Sequence, residues 1–201
     1  LRASDLGGDG LVRLSAAAPN LRVIEVDGAS IGIAAWATAL HRRTIRALDV
    51  GASTGDDLAC LLAERFEAPA MERLGIDGRA FGPRAWSSLG AMNLRDLSLR
   101  DAMLDEDAAR RLSALRPYNL QFKGCALGVG ALDVLAQAGA FEHLVTARLP
   151  DVCVDDLSVV AEAAPWLESV IVEGPEPDAA ETLRGQHPLV RWSFVGGRGA
   201  P

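Results

Sequence analysis

Few side chains in this sequence belong to the types that make and break bonds, and their spacing argues against most such chemistry. Cys60, Cys125 and Cys153 show none of the short intervals that metal binding needs, and they are too sparse for a disulfide framework. They read as reduced small residues, with Cys60 and Cys125 buried and Cys153 exposed. His41, His143 and His187 lie far apart with no cysteine beside them, so no catalytic or metal cluster is expected to converge. The stretches "GGDG" (7–10) and "GVG" (128–130) lack the G-x-G-x-x-G or G-x-x-x-x-G-K-S/T surroundings of a phosphate loop and read as turns. No enzyme activity, cofactor or metal is expected. What remains is recognition by charge: Arg73, Arg100, Lys123 and Arg148 could hold carboxylates through charge-assisted hydrogen bonds, provided the fold brings them together.

The elements that would do so follow from one stretch, "LRDLSLRDAML" (94–104). Its apolar residues Leu94, Leu97, Leu99, Ala102 and Leu104 are spaced 3, 2, 3 and 2, which suits neither a helix nor a plain strand. The same pattern, L-x-x-L-x-L-x-x-a-x-L with "a" usually small, recurs along the chain. It appears in "LRVIEVDGASI" from Leu21, "IRALDVGASTG" from Ile45 and "MERLGIDGRAF" from Met71. After Leu94 it continues in "PYNLQFKGCAL" from Pro117, "LVTARLPDVCV" from Leu144, "LESVIVEGPEP" from Leu167 and a truncated "LVRWSF" from Leu189. The starts lie 22 to 27 residues apart, and "LRASDLGGDGL" within residues 1–20 reads as one more, degraded copy. Residues 1–201 are therefore expected to form a single repeat domain.

Between the copies the chain turns helical. "DDLACLLAERF" (56–66), "EDAARRLSAL" (106–115), "GALDVLAQAG" (130–139) and "DDLSVVAEAAP" (155–165) carry apolar residues at intervals of 3 and 4. Acidic residues cluster at their starts, where they cap free N–H groups and complement the helix dipole. Each unit has one apolar face too small to bury alone, so neighbours must stack, strands beside strands and helices beside helices.

On these residues the chain resembles the leucine-rich repeat superfamily, nearest to its helix-backed, ribonuclease-inhibitor-like subclass but with shorter units. The resemblance runs from Leu21 to Phe194. It departs from the family at position "a", where Asn or Cys is usual and this chain has Ala29, Ser53, Arg79, Ala102, Cys125, Val152 and Pro175. The resemblance implies an α/β solenoid: a curved, parallel inner sheet of about eight strands with helices on the convex side. It also implies a non-enzymatic protein–protein interaction scaffold that binds on the concave face. The alternative is a sensor or autoinhibitory repeat region of a larger multidomain signalling, defence or effector protein.

In such a solenoid the residues between the core positions face the concave side. One column then runs Glu25, Asp49, Gly75, Ser98, Gln121, Arg148, Ile171, Ser193; a second runs Val23, Ala47, Arg73, Asp96, Asn119, Thr146, Ser169, Arg191; a third runs Asp27, Gly51, Asp77, Arg100, Lys123, Pro150, Glu173, Val195. Acids (Glu25, Asp27, Asp49, Asp77) gather at the N-terminal part and bases (Arg73, Arg100, Lys123, Arg148) in the middle, with Asn119 and Gln121 between. The expected partner is another protein or another domain of the same one, offering an acidic segment; a solvated face of self-paired charges is the competing reading. These columns hold no aromatic residue, and Trp36, Trp86, Trp166 and Trp192 are all expected to pack inside.

The bulk composition narrows the classes further. A net charge of −7 disfavours nucleic acid and anionic membranes as partners, and no apolar run is long enough to span a bilayer. Lys123 is the only lysine against many arginines, which points to a high-GC, bacterial genome and a cytoplasmic protein. Neither end shows a polar capping unit, so end-to-end self-association or fraying of the terminal repeats is expected.

Overall fold

Leu97 and Leu99 are buried while Ser98 between them and Arg100 beyond them stay half-exposed, so one strand already divides into an inner and an outer face. The five apolar residues of the recurring pattern in 94–104 are buried, Leu94, Leu97 and Leu99 from the strand side and Ala102 and Leu104 from the bend that follows, while Met103 between the last two is exposed. The computed structural model describes residues 2–3, 6–26, 31–41, 45–51, 55–65 and 71–196. Along them run β1 (Arg2–Ala3), α1 (Gly8–Ala17), β2 (Val23–Val26), α2 (Ile33–Ala39), β3 (Ala47–Val50), α3 (Gly55–Arg65), β4 (Arg73–Asp77) and α4 (Pro83–Gly90). They continue with β5 (Asp96–Arg100), β6 (Met103–Leu104), α5 (Glu106–Leu112), β7 (Asn119–Lys123), β8 (Ala126–Leu127), α6 (Ala131–Gln137), β9 (Thr146–Pro150), α7 (Val154–Ala163), β10 (Ser169–Glu173), α8 (Ala180–Gln186) and β11 (Arg191–Phe194).

The fold is α/β. Among the described residues one all-parallel sheet runs β1-β2-β3-β4-β5-β7-β9-β10-β11, strictly in chain order, with β1 contributing only two residues. Parallel neighbours need a crossover, and crossovers are right-handed almost without exception. When the strand order never reverses, that rule puts every crossover on the same face. One face of the sheet is accordingly covered and the other is open, unlike a doubly wound fold, in which both are covered. The covered face merges with the helices in a single core that includes Ile24, Leu48, Leu74, Leu97, Leu120 and Val170 from strands and Leu58, Leu89, Leu112, Leu135, Leu157 and Leu183 from helices. In the middle of the chain β6 and β8 form a second short parallel ladder at the bend between sheet and helix, pairing Met103 with Ala126 and Leu104 with Leu127. Among the described residues no helix is long and apolar enough to cross a membrane.

Local chemistry sets the helix ends. Asp105 caps α5 by accepting a hydrogen bond from the Ala108 N–H at 2.8 Å. Asp56, in the first turn of α3, instead accepts from the Gly82 N–H at 2.8 Å, and Gly82 is the N-cap of α4, so an acid of one unit caps the helix of the next. At the other end Arg116 donates to the carbonyls of Ser113, Leu115 and Ala138, satisfying the C-terminal turns of α5 and α6 together.

Small residues set how closely the layers approach. A Cβ on Gly90, the last residue of α4, would lie 2.0 Å from the carbonyl oxygen of Arg111 in α5. A Cβ on Gly78 would lie 2.6 Å from the Cβ of Ala102, so the small residue at position "a" does let neighbouring bends close up there. At the same position in the preceding unit Arg79 is exposed, and Phe81, edge-on to Trp86 at 5.0 Å, supplies the apolar contact instead.

These contacts predict a graded response in chemical denaturation. Leu97→Ala removes a buried side chain and should lower stability by about 2–5 kcal/mol, whereas Ser98→Ala, one residue on, should change it by about 0.5 kcal/mol or less. Gly90→Ala forces α4 away from backbone that cannot yield locally and should cost about 1–3 kcal/mol.

Candidate binding face

The open face of the sheet is built by register. Backbone pairing joins Glu25 to Asp49, Asp49 to Gly75, Gly75 to Ser98, Ser98 to Gln121, Gln121 to Arg148, Arg148 to Ile171 and Ile171 to Ser193 in one unbroken column. A second column joins Val23, Ala47, Arg73, Asp96, Asn119, Thr146, Ser169 and Arg191. In the third, Asp77 pairs with Arg100 and Arg100 with Lys123. Asp27 lies outside the described residues.

Most of the charges along these columns neutralise one another. Arg73 donates to Asp96 at 3.0 Å, and Asp96 also accepts from the Asn119 amide. The Asn119 amide oxygen in turn accepts from the Thr146 hydroxyl. Arg100 reaches over β4 to Asp49 on β3 and donates to the Val50 carbonyl at 2.8 Å. That reach depends on Gly75 between them, since a Cβ there would lie 2.7 Å from the Asp49 carboxylate. Arg148 donates to Glu173 at 2.6 Å, and the other Glu173 oxygen accepts from the Gly124 N–H at 3.1 Å. Asp77 is buried and accepts from the Arg79 N–H at 2.9 Å; the Arg79 guanidinium bridges it to Asp101. Glu25 is half-buried on β2 and is also engaged.

Lys123 is the exception: among the described residues its ammonium makes no ion pair or hydrogen bond. The Gln121 amide likewise has no partner there. The Ser98 hydroxyl oxygen is buried and has none either. These three residues line one recess of about 390 Å³ that spreads over β3, β4, β5, β7 and β9. Its lining brings together Asp49, Arg73, Asn119, Gln121 and Lys123 of the residues expected from the sequence. Arg100, Arg148, Asp77 and Glu25 are not part of that lining.

Sequence spacing placed Ser98 and Glu173 in the columns without singling them out, because the pairing of Glu173 with Arg148 across strands is invisible in a linear pattern. It also missed a rim just outside the columns. Tyr118, one residue before β7, stacks on His143 with ring centroids 6.0 Å apart, and the Arg95 guanidinium sits 5.1 Å from the Tyr118 ring. Trp36, Trp86 and Trp192 are buried as expected, but Trp166 is 67 % exposed, in the turn before β10. A turn at that point offers no helix layer for the indole to enter.

Among the described residues no group of His, Cys, Asp and Glu is arranged to hold a metal ion. Cys60 and Cys125 are buried and Cys153 is exposed. Burial pushes the Cys125 thiol up to about 11, so it stays protonated at neutral pH. No protein-family model matches the chain, and no curated protein matches it.

The two bases that meet in the third column should behave differently when removed. Arg100→Gln breaks a half-buried ion pair and a carbonyl contact and should lower stability by about 1 kcal/mol, while Lys123→Gln should stay within about 0.5 kcal/mol of the parent in the same urea titration.

Proposed function

We propose that this chain is a leucine-rich-repeat solenoid of the helix-backed kind, a non-enzymatic scaffold that binds a segment of another protein on the concave face of its curved sheet. The reading is supported by the recurring apolar pattern, by the strictly sequential parallel sheet and by the open face with its polar recess. The observation that carries it is the recess itself: a row of strands buried on one side holds donors without partners on the other. An ammonium and an amide without protein partners can form charge-assisted and neutral hydrogen bonds to a bound ligand. The net charge of −7 makes a protein partner a better fit than nucleic acid, and the arginine-rich composition suits a bacterial, cytoplasmic setting.

A second reading, in which these repeats are the sensor or autoinhibitory region of a larger protein, is favoured by Trp166 and Leu189. Both are largely exposed in the turns before β10 and β11, where a further domain or a second copy would cover them.

Photo-crosslinking separates the faces. With a crosslinking residue placed at Gln121 on the open face, at Arg110 on the outer side of α5 or at Trp166 in the turn before β10, capture from lysate of the source organism should run several-fold higher through Gln121 than through either other position. Equal capture through both positions would move the binding surface off the sheet, and capture confined to position 166 would favour the second reading.

A further inference from the structure

We propose that the recess over β4, β5 and β7 is a carboxylate-binding site, filled by one acidic side chain on an extended segment of the partner. The proposal rests on the reading of the open face as the binding surface and assigns that face its chemistry. Two cations line the recess, Arg73 and Lys123, beside two anions, Asp49 and Asp96, and Arg100 pairs with Asp49 from outside the lining. The anions are both satisfied, Asp96 by Arg73 and Asn119 and Asp49 by Arg100. One positive charge, on Lys123, is left without compensation among the described residues. Beside it stand two uncharged groups without partners, the Gln121 amide and the Ser98 hydroxyl. Gln121 lies directly across from Ser98 and two residues before Lys123 on the same face of β7, so the Gln121 amide and the Lys123 ammonium are the two donors over one region of the floor. A carboxylate has two oxygens that accept several hydrogen bonds and one charge to match one ammonium.

The flanking carboxylates of Asp49 and Asp96 set the specificity. They disfavour a dianion such as phosphate, which would need more than one free cation, and leave a monoanion acceptable. The recess crosses five strands, about 19 Å at the usual strand spacing, which matches about six residues of extended chain. That is longer than any single small carboxylate requires, so the ligand is a peptide segment laid across the strands and the carboxylate is its anchor.

Lys123 is the only lysine, so reductive methylation with ¹³C gives a single side-chain dimethylammonium signal that reports on this position. The test titrates a six-residue capped peptide of alternating Thr and Glu, its Gln-for-Glu twin, and inorganic phosphate into the methylated protein, with backbone amide spectra recorded alongside. The acidic peptide should shift the Lys123 signal and the amides of Ser98 and Gln121 saturably, and the Gln twin should bind about tenfold more weakly, the loss expected for one charge-assisted contact. Lys123→Gln, followed through the amide signals, should weaken the acidic peptide by a similar factor. Arg95→Gln, on the rim, should leave it unchanged. Phosphate binding as tightly as the peptide, or equal binding of the two peptides, overturns the carboxylate assignment. Saturable shifts over β9–β11 with Lys123 unmoved also overturn the recess, yet leave the open face as a binding surface. Shifts confined to the helices overturn both.

Discussion

Each strand of the sheet carries its buried side chains at every second position, so a slip of one residue in the pairing would exchange Leu97 and Leu99 for Ser98 and Arg100. The neighbouring ladders would be forced out of phase with it, because every inner strand pairs on both sides. Register is therefore held collectively: Leu74, Leu97, Leu120 and Ala147 stay in one buried row only while each ladder keeps its offset. The helices reinforce it, since the same offset that aligns the strands lets Gly90 in α4 meet the backbone of α5.

The open face is a consequence of that register. Polar residues in one column stand one strand apart, close enough for charges on neighbouring or next-neighbouring strands to pair. Arg73 with Asp96, Arg100 with Asp49 and Arg148 with Glu173 are three solutions to the same problem, the crowding of bases in the middle of the sheet. Exposed pairs of this kind add little stability individually. Their larger effect is on what the face can bind: they silence most of its charge and leave Lys123 and Gln121 as the groups still available to a ligand. Gly75 belongs to the same arrangement, because without its bare backbone Arg100 and Asp49 could not meet across β4.

The rim follows different rules. Residues just before each strand are not held by the alternation, and they are free to be aromatic or charged. Arg95, Tyr118 and His143 stack there, and Trp166 stands exposed one unit further on. The indole had been expected inside because large aromatics usually gain most from burial. In the turn before β10 no layer is available to receive it.

The α/β class, the order of strand and helix, the buried leucines of the 94–104 stretch and the alignment of residues into columns were all legible in the sequence. They follow from local periodicity, and periodicity is written in the order of residues: intervals of 2 in the strand, 3 and 4 in the helix, and a return every 22 to 27 positions. The helix N-terminus capped by Asp105 was legible for the same reason, because a cap and its N–H lie three residues apart. Only the tertiary structure decided which charges cancel. Arg100 lies 51 residues from Asp49, and Arg148 lies 25 from Glu173. Side-chain length and a neighbouring glycine, not spacing, choose among several acids within reach. Of the basic residues expected to form the binding site, the fold paired Arg73, Arg100 and Arg148 and left Lys123 open, a distinction made by contacts between strands that no linear pattern encodes.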